Sequence, residues 1–502
     1  MDLDFSSLTI NSISSDSWVV LKDPTGQISM VKGRDLNAFF DESDISSFVG
    51  WQTLSQENKF VNVELARRFH KCCKMFVVRS PSAMIRVTDE HIVPVKRDGS
   101  IIEICAKDIR VGDELIGGEL PHLDSSIDEL NLIDFLHFDS PIVLDSSSSS
   151  LFRQAIHDNY SPETFYNETQ LPYESGIPLK VYLAYRAVVN LDETKLQLKI
   201  AGSSLSFPTT IRLTRELGRL CGFIYTDGGT STDYKTFFTN TRSDLIDEAK
   251  MLFASLSQDA TVSSSYNSNG TTIVTCYSAF INYLFSAVLC HKTDAGKMKI
   301  PGWYFNANEE FLRGFISGVI DGDGSFGPNT VILSLGSREF VEDFRLLLKK
   351  FNIDANVSYR QTKGQIARFG DVESIRKLDT WTLEFSSGWF NNDEWKCSIY
   401  ADALKKYPGM ISVTPRNNMN YVVNSIVQED YEDYVYDLQT EDHHFWSNGV
   451  VIHNCLYIPL SKLLHHGYST GHGFLRAPST IRSASALTCI AIQSSQNDFF
   501  NY

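Results

Sequence analysis

The chain has 502 residues, 42% hydrophobic and 12% aromatic, so it is globular and too long for one core; two to four domains are expected. No apolar run reaches the roughly 18–20 residues that cross a bilayer. The acidic opening MDLDFSSLTI lacks the basic stretch of a signal peptide, and nine cysteines without metal-type pairs fit reduced thiols, so a cytoplasmic, membrane-free protein is expected. The net charge of −16 argues against a phosphate-rich partner. Residues 211–410, however, hold 22 basic and 23 acidic side chains, so the centre is near neutral and the flanks carry the acidic excess. In chain order, residues 16–36 read as short strands with a turn: SWVVLKD, then PTGQ, then ISMVKG. MFVVRSPSAMIRVTDEHIVPVKRDGSIIEI is a second β-rich stretch with a hairpin turn at Asp98-Gly99. Between 120 and 205 the patterning weakens, and DSSSSS at 145–150 reads as a low-complexity loop or linker. RLTRELGRLCGFIYTDGG then has apolar residues at helical spacing, and β-like runs and the helical TRSDLIDEAKMLFASL follow. FLRGFISGVIDGDGSF repeats the pattern roughly 95 residues later, trailed by strands and SREFVEDFRLLLKKFNI, an internal duplication that suits two halves of one domain. After about residue 415 β texture returns in YVYDLQTEDHHFWSNGVVIHN.

Both copies carry small residues on one face and end in an acid beside a glycine: Leu220–Gly228 and Ile316–Gly324. Gly222 and Gly318 allow two helix backbones to approach closely. Side by side, such helices bring Asp227 and Asp323 together, and two neighbouring carboxylates repel unless they share a cation, which makes a site for Mg²⁺ and phosphate oxygens. The plainer reading, an amphipathic helix with an ordinary Asp-Gly end, suits one copy better than two. Both segments resemble the LAGLIDADG motifs of DOD-type homing endonucleases. The resemblance implies an α+β pseudo-twofold domain, with Asp227 and Asp323 as its catalytic metal ligands. It also implies Mg²⁺ as cofactor, a monomer, and double-stranded DNA with a long asymmetric site at the insertion point as partner. GKMKIPGWYFNANEEFLRGF is similar to the K-x-I-P element that supplies a catalytic lysine. Met298 stands where that lysine falls, flanked by Lys297 and Lys299, and Lys299 is the candidate. Asp321 is expected behind the metal site or facing solvent. DNA contacts are expected from TVSSSYNSNGTTIVTC and NVSYRQTKGQIARF, with Arg360, Lys363 and Arg368 meeting phosphates or base edges.

The last β-run ends His453-Asn454-Cys455. An Asn can attack its own carbonyl through its side-chain amide, forming a succinimide and cutting the following bond; His453 can donate a proton to that step and Cys455 supplies a thiol. With YDLQTEDHHFWSNG before it, this end resembles the C-terminal blocks of inteins, which places Asp437 and His443 at the blocks' acid and histidine positions. Thr88-Asp-Glu-His91 resembles the Thr-x-x-His block, whose threonine and histidine activate the upstream scissile peptide, and AKDIRVGDELIG is similar to the element after it. Ser12-Ile-Ser-Ser-Asp-Ser17 is similar to the N-terminal block but begins with serine in place of cysteine; Ser14 and Ser15 read as loop residues. Serine supports an N-to-O acyl shift, yet its alkoxide is far less available than a thiolate, so slow splicing or an impaired first step is expected. The resemblance implies an all-β, horseshoe-like Hint splicing domain built from both chain ends.

Removing residues 12–454 would join MDLDFSSLTIN to CLYIPLSKLLHHGYSTGHGF and the rest, a segment that resembles anaerobic (class III) ribonucleoside-triphosphate reductases across the junction. In that family the cysteine matching Cys455 is in the active site. The radical glycine, finger-loop cysteine and zinc cysteines have no counterpart, so the flanks are expected to be an incomplete reductase. The expected divisions are 1–11 (upstream flank), 12–120 (Hint, first part), 121–205 (linker or accessory region), 206–412 (endonuclease), 413–454 (Hint, last part) and 455–502 (reductase fragment). The competing readings are a splicing-impaired relic and a Hint-type processing protein whose paired helices are only core.

Overall fold

The computed structural model describes residues 12–454 apart from 41–42, 121–125, 137–140, 173–175, 203–204, 257–260, 268–269, 370–371, 391–393, 396 and 409–418. Cys455 and both flanks therefore lie outside the described residues. The chain divides into two units, Met1–Ser125 with Asn418–Tyr502, and Ser126–Asn417.

The first unit is built on one long antiparallel ladder. Strand Phe60–Ser80 pairs with Ser425–Thr440 from Arg79 opposite Ser425 to Val63 opposite Thr440, with a bulge after Gln439. Short strand Ile13–Ser14 is held between two partners: Ile13 faces Tyr436 on one side and Val87 of strand Ala83–Thr88 on the other. Trp18–Lys22 and Ile28–Lys32 form the expected hairpin, and Ser447 pairs with Val19, so the C-terminal hairpin joins the strands that follow Ser12. That hairpin, His444–Ser447 with Val450–His453, turns at Asn448 (φ 52°) and Gly449 (φ 100°), the two left-handed positions of a type I′ turn. Asp98 and Gly99 (φ 52° and 82°) make the same turn between Ile92–Arg97 and Ser100–Cys105. Val19, Leu21, Leu36, Val78, Val87, Val93, Phe445 and Ile452 fill the core between the strands.

In the second unit the duplication extends from the acid-bearing helices to the strands and helix that follow each of them. The first half runs helix Arg215–Asp227, strands Gly228–Thr230 and Lys235–Asn240, helix Ser243–Leu256, strands Thr261–Tyr266 and Thr272–Tyr277. The second runs Glu309–Asp323, Gly324–Phe326, Thr330–Leu335, Arg338–Lys350, Ala355–Arg360 and Thr380–Ser386, with the hairpin Ile366–Phe369/Val372–Ile375 inserted. Each sheet orders its strands first, second, fourth, third. The two acid-bearing helices touch backbone to backbone. A Cβ on Gly222 would lie 2.6 Å from the Phe315 carbonyl oxygen and the Val319 nitrogen, and one on Gly218, Gly314 or Gly318 would overlap the Phe311, Arg215 or Arg219 carbonyl.

The serine run at 146–150 is a helix, not the linker its composition suggests. Asp145 Oδ1 accepts from the Ser148 amide at 2.8 Å and caps helix Ser146–Asn159, whose Phe152 and Ile156 are buried. The polar run is the first turn, where serines suit free amides. Because a methyl group added between touching helix backbones forces them apart, Gly222→Ala and Gly318→Ala should each destabilise the second unit by about 1–3 kcal/mol. Denaturant unfolding of the full chain checks this, and an unmoved midpoint would contradict the contact.

Candidate functional sites

The first unit gathers the residues from both chain ends. Ser12 is fully buried; its amide donates to Thr88 Oγ1 at 3.1 Å and its carbonyl accepts from the Thr88 amide at 3.1 Å. With Ile13 opposite Tyr436, the register puts Ser12 opposite Asp437. Asp437 is buried, with Arg67 Nη1 at 3.8 Å, and Arg67 is itself buried and donates to Gln439 at 2.6 Å. The Ser12 hydroxyl has no hydrogen-bond partner among the described residues, and neither has either ring nitrogen of buried His91. Burial first, and the nearby charge of His453 second, push His91 down to about 3, so it is a neutral imidazole at physiological pH. Ser14 ends the short strand, whereas Ser15 lies in the turn after it, the loop position expected; both are buried, the Ser14 hydroxyl donating to Asp16 at 2.5 Å and that of Ser15 to Asp433 at 2.7 Å.

At the other end, Asn454 is buried. Its amide hydrogen goes to the His443 carbonyl at 2.9 Å, and its side-chain nitrogen lies 3.3 Å from Thr440 Oγ1 and 3.4 Å from the Thr440 carbonyl. His453 Nδ1 lies 2.5 Å from the Asn454 carbonyl oxygen. Burial holds His453 below the usual imidazole range, against the pull of the Asn454 carbonyl and Glu103. His443 is exposed at φ 65° and stacks on His453 with ring centroids 5.8 Å apart. Strand Val450–His453 packs against strand Ile92–Arg97, which directly follows His91, so the Thr88–His91 segment and the His453–Asn454 end are neighbours, both buried. Arg67 and Thr440 are not legible in the sequence: Arg67 meets Gln439, 372 residues away, and Thr440, 14 residues before its partner Asn454, stands at no position that a motif marks.

In the second unit Asp227 and Asp323 do come together. Burial, then repulsion from Asp227, raises Asp323 to about 6, against the pull of Lys292, although Asp323 keeps an exposed edge. Burial also raises Asp227, opposed by an Asn240 amide at 2.8 Å and by Lys292. Lys292, which no motif marks, donates to the carbonyls of Ile224, Tyr225, Thr226 and Gly228 at 3.1, 2.8, 2.9 and 2.8 Å and closes the end of the first helix. Lys299 instead pairs with Glu339 at 3.2 Å and is 43% exposed. Asp321 neither faces solvent nor meets the pair. It is buried, bound to Arg219 at 2.7 Å, and accepts the Ser398 and Ile399 amides at 2.9 and 2.8 Å, capping helix Ser398–Lys406. Arg360, the last residue of strand Ala355–Arg360, and Lys363, between that strand and the inserted hairpin, are exposed; Arg368 lies on that hairpin, its side chain outside the described residues. Two mutually repelling carboxylates, that of Asp227 half-buried and that of Asp323 reached by solvent, are a hard-oxygen donor set whose repulsion a divalent cation would relieve.

A sequence model of the intein splicing domain matches residues 35–454, and one of anaerobic ribonucleoside-triphosphate reductase matches residues 410–501. An uncharacterized protein of Methanocaldococcus jannaschii is 22% identical over 406 residues, covering 74% of this chain and 43% of its own. A DNA-directed RNA polymerase subunit of the same organism is 27% identical over 180 residues, covering 36% of this chain and 20% of its own. The chain thus spans less than half the length of these relatives. The transcription factor IIB Mja mini-intein shares 23% identity, covering 21% of this chain and 65% of its own with a TM-score of 0.18. The homing endonuclease I-DmoI, solved with DNA and Ca, shares 13%, covering 39% and 90% with a TM-score of 0.27.

The raised Asp323 value has a signed consequence for stability. A carboxyl that binds its proton more tightly folded than unfolded stabilises the fold below the unfolded value and loses that contribution as pH rises to the folded one. Unfolding midpoints of the second unit should therefore fall between about pH 4 and pH 6 and flatten in Asp323→Asn. Identical pH dependence in the wild-type chain and in Asp323→Asn would show that Asp323 is not raised.

Proposed function

Because the chain belongs to the intein splicing family, we propose that residues 12–454 excise themselves autocatalytically and join their flanks, and that 206–412 act as a LAGLIDADG-type homing endonuclease. The observation that carries the splicing reading is one buried site in which Asn454 has His453 on its carbonyl and Ser12 has a hydroxyl with no other partner. Ser12 Oγ attacks the preceding carbonyl carbon; the carbon–nitrogen bond breaks, and the hydroxyl proton passes to the freed amine. Neutral His91, one turn from Thr88, suits that transfer, while Thr88 and Asp437 flank the Ser12 backbone. The Cys455 thiolate attacks that ester carbonyl and takes over the acyl group as the Ser12 oxygen leaves and regains a proton. Asn454 Nδ2 then closes on its own carbonyl carbon as the bond to Cys455 breaks, with His453 polarising the carbonyl and His443 stacked against it. Thr440 holds the attacking amide. Once the bond after Asn454 is cut, the freed Cys455 amine displaces the sulfur and a peptide bond joins the flanks. The joined flanks form a segment of an anaerobic ribonucleoside-triphosphate reductase, in keeping with the match over residues 410–501.

For the nuclease, Asp227 and Asp323 would hold Mg²⁺, which when bound supplies a Lewis acid for phosphodiester hydrolysis. Equivalent helices and sheets in the two halves support a pseudo-twofold domain in which one chain provides both acids, hence a monomer on double-stranded DNA. Lys299, half exposed and paired with Glu339, can reach a phosphate, whereas Lys292 is committed to four carbonyls. Arg360, Lys363 and Arg368 would meet the DNA backbone or base edges. Among the described residues no helix is long and apolar enough to cross a membrane; a cytoplasmic location is part of this reading.

Mass measurement of the expressed chain should reveal a free species of residues 12–454 and the ligated flank, both lost in the Ser12→Ala/Asn454→Ala double variant. A wild-type chain that stays full length would exclude autocatalysis. Separately, Mg²⁺ should raise the unfolding midpoint, by about 2.7 kcal/mol in stability at a hundredfold excess over its Kd. Asp227→Asn and Asp323→Asn should abolish both that gain and Mg²⁺-dependent cutting of DNA bearing the empty reductase junction. Cutting that survives both substitutions would rule out this metal site.

A further inference from the structure

His443 occupies the histidine position of the C-terminal motif, yet its neighbour is more tightly connected. His444 Nδ1 lies 2.8 Å from the Asp442 carbonyl oxygen and its Nε2 2.9 Å from Glu103 Oε1. A carbonyl and a carboxylate can only accept, so both ring nitrogens of His444 carry protons and the ring is an imidazolium. The other oxygen of Glu103, on strand Ser100–Cys105, is 4.0 Å from His453 Nε2. His453 Nδ1 donates to the Asn454 carbonyl, so neutral His453 has a bare Nε2 in reach of Glu103. Glu103 keeps 45% of its side chain exposed, which leaves this carboxylate as a route to solvent for a proton.

We propose that Glu103 is a positioning residue for cleavage after Asn454: one carboxylate oxygen fixes His444 as a cation, and the other provides the counter-charge that lets His453 hold a second proton. This rests on the reading of Asn454 as the cyclising residue. A doubly protonated His453 can polarise the carbonyl through Nδ1 and pass a proton to the departing amine of Cys455, while the proton that Asn454 Nδ2 loses as the imide forms goes to solvent; the ring is then neutral and Glu103 is again shared with His444. Every charged group facing His453 enters the balance. Glu103 favours the imidazolium; His444, with rings 5.0 Å apart, and His443 oppose it; buried His91 is neutral. On the neighbouring strand Ile92–Arg97, Lys96 is engaged with Glu114 at 3.4 Å. His444 is itself held above the usual range: burial opposes its charge, but the Glu103 bond, the Asp442 carbonyl and both carboxylates outweigh it. Glu103 is correspondingly held low by the bond from His444.

The two side chains therefore push His453 in opposite directions, with Glu103 the stronger. In the full chain carrying Ser12→Ala and Asn454→Ala, which stays intact at every pH, imidazole NMR titration should show His453 falling by about half a pH unit or more in Glu103→Gln and rising by a similar amount in His444→Gln. In the chain carrying Ser12→Ala alone, release of the C-terminal flank should slow by about threefold to tenfold at neutral pH in Glu103→Gln, with its pH profile moved to lower pH. Glu103→Asp should restore the wild-type profile in part. Shifts of the same sign in the two variants, or none, overturn the proposal. Opposite shifts without release of the flank at any pH overturn the cyclisation reading beneath it.

Discussion

The pairing of Phe60–Ser80 with Ser425–Thr440 is the constraint on which the rest depends. It fixes the strand beside which Ile13 is threaded, and it sets the direction in which the chain enters the last hairpin. Closing so long a loop is less demanding than its length suggests, because the entropy lost grows only logarithmically, about 0.6 kcal/mol per doubling. Sustained backbone pairing along a strand with a buried face can offset that. A separate folded unit within the loop weakens the closure little, provided its own chain ends are free to meet the ladder.

The second unit solves a different problem. Its two carboxylates can be neighbours only because four glycines remove the side chains that would separate the helices carrying them. The close approach concentrates negative charge at the helix C-termini, where the backbone dipoles are also negative. Lys292 lies where both contributions meet, its ammonium taken up by four carbonyls with the two acids nearby. Burial of that ammonium lowers its proton affinity, and the acids restore part of it.

Features that depend on a few adjacent residues were readable in the sequence: the Asp-Gly and Asn-Gly hairpins, the two small-residue helices, the His-Asn end and the Thr-x-x-His turn. Each is specified locally, by a left-handed turn, a helical period or a chemical requirement at one bond. What escaped depends on tertiary placement. Arg67 lies in the middle of a long strand and becomes significant only because the register sets it against Asp437. Glu103 reads as an ordinary acid on a half-exposed strand until His444 and His453 arrive from the other end of the chain. The serine run misleads because composition carries no information about its cap: Asp145 turns a flexible-looking sequence into a helix start. Asp321 misleads in the opposite direction, since its neighbour Asp323 faces the pair while Asp321, on another side of the same helix, is claimed by Arg219 and a helix N-terminus.

The two crossings out of the first unit lie together. Glu114 bridges to Val422, the Leu115 amide donates to the Tyr421 carbonyl at 3.1 Å, and the Val423 amide donates to the Asp113 carbonyl at 2.7 Å. Beyond that edge Ile116, Gly117 and Gly118 still pair with Val451, Val450 and Gly449 before the chain leaves the unit. A deletion confined to Ser126–Asn417 that left a short turn would remove no strand of the ladder and neither Ser12 nor Asn454. Loss or gain of the intervening gene segment is thus mechanically invisible to the rest, so the two halves of the molecule can decay, or be inherited, on separate schedules.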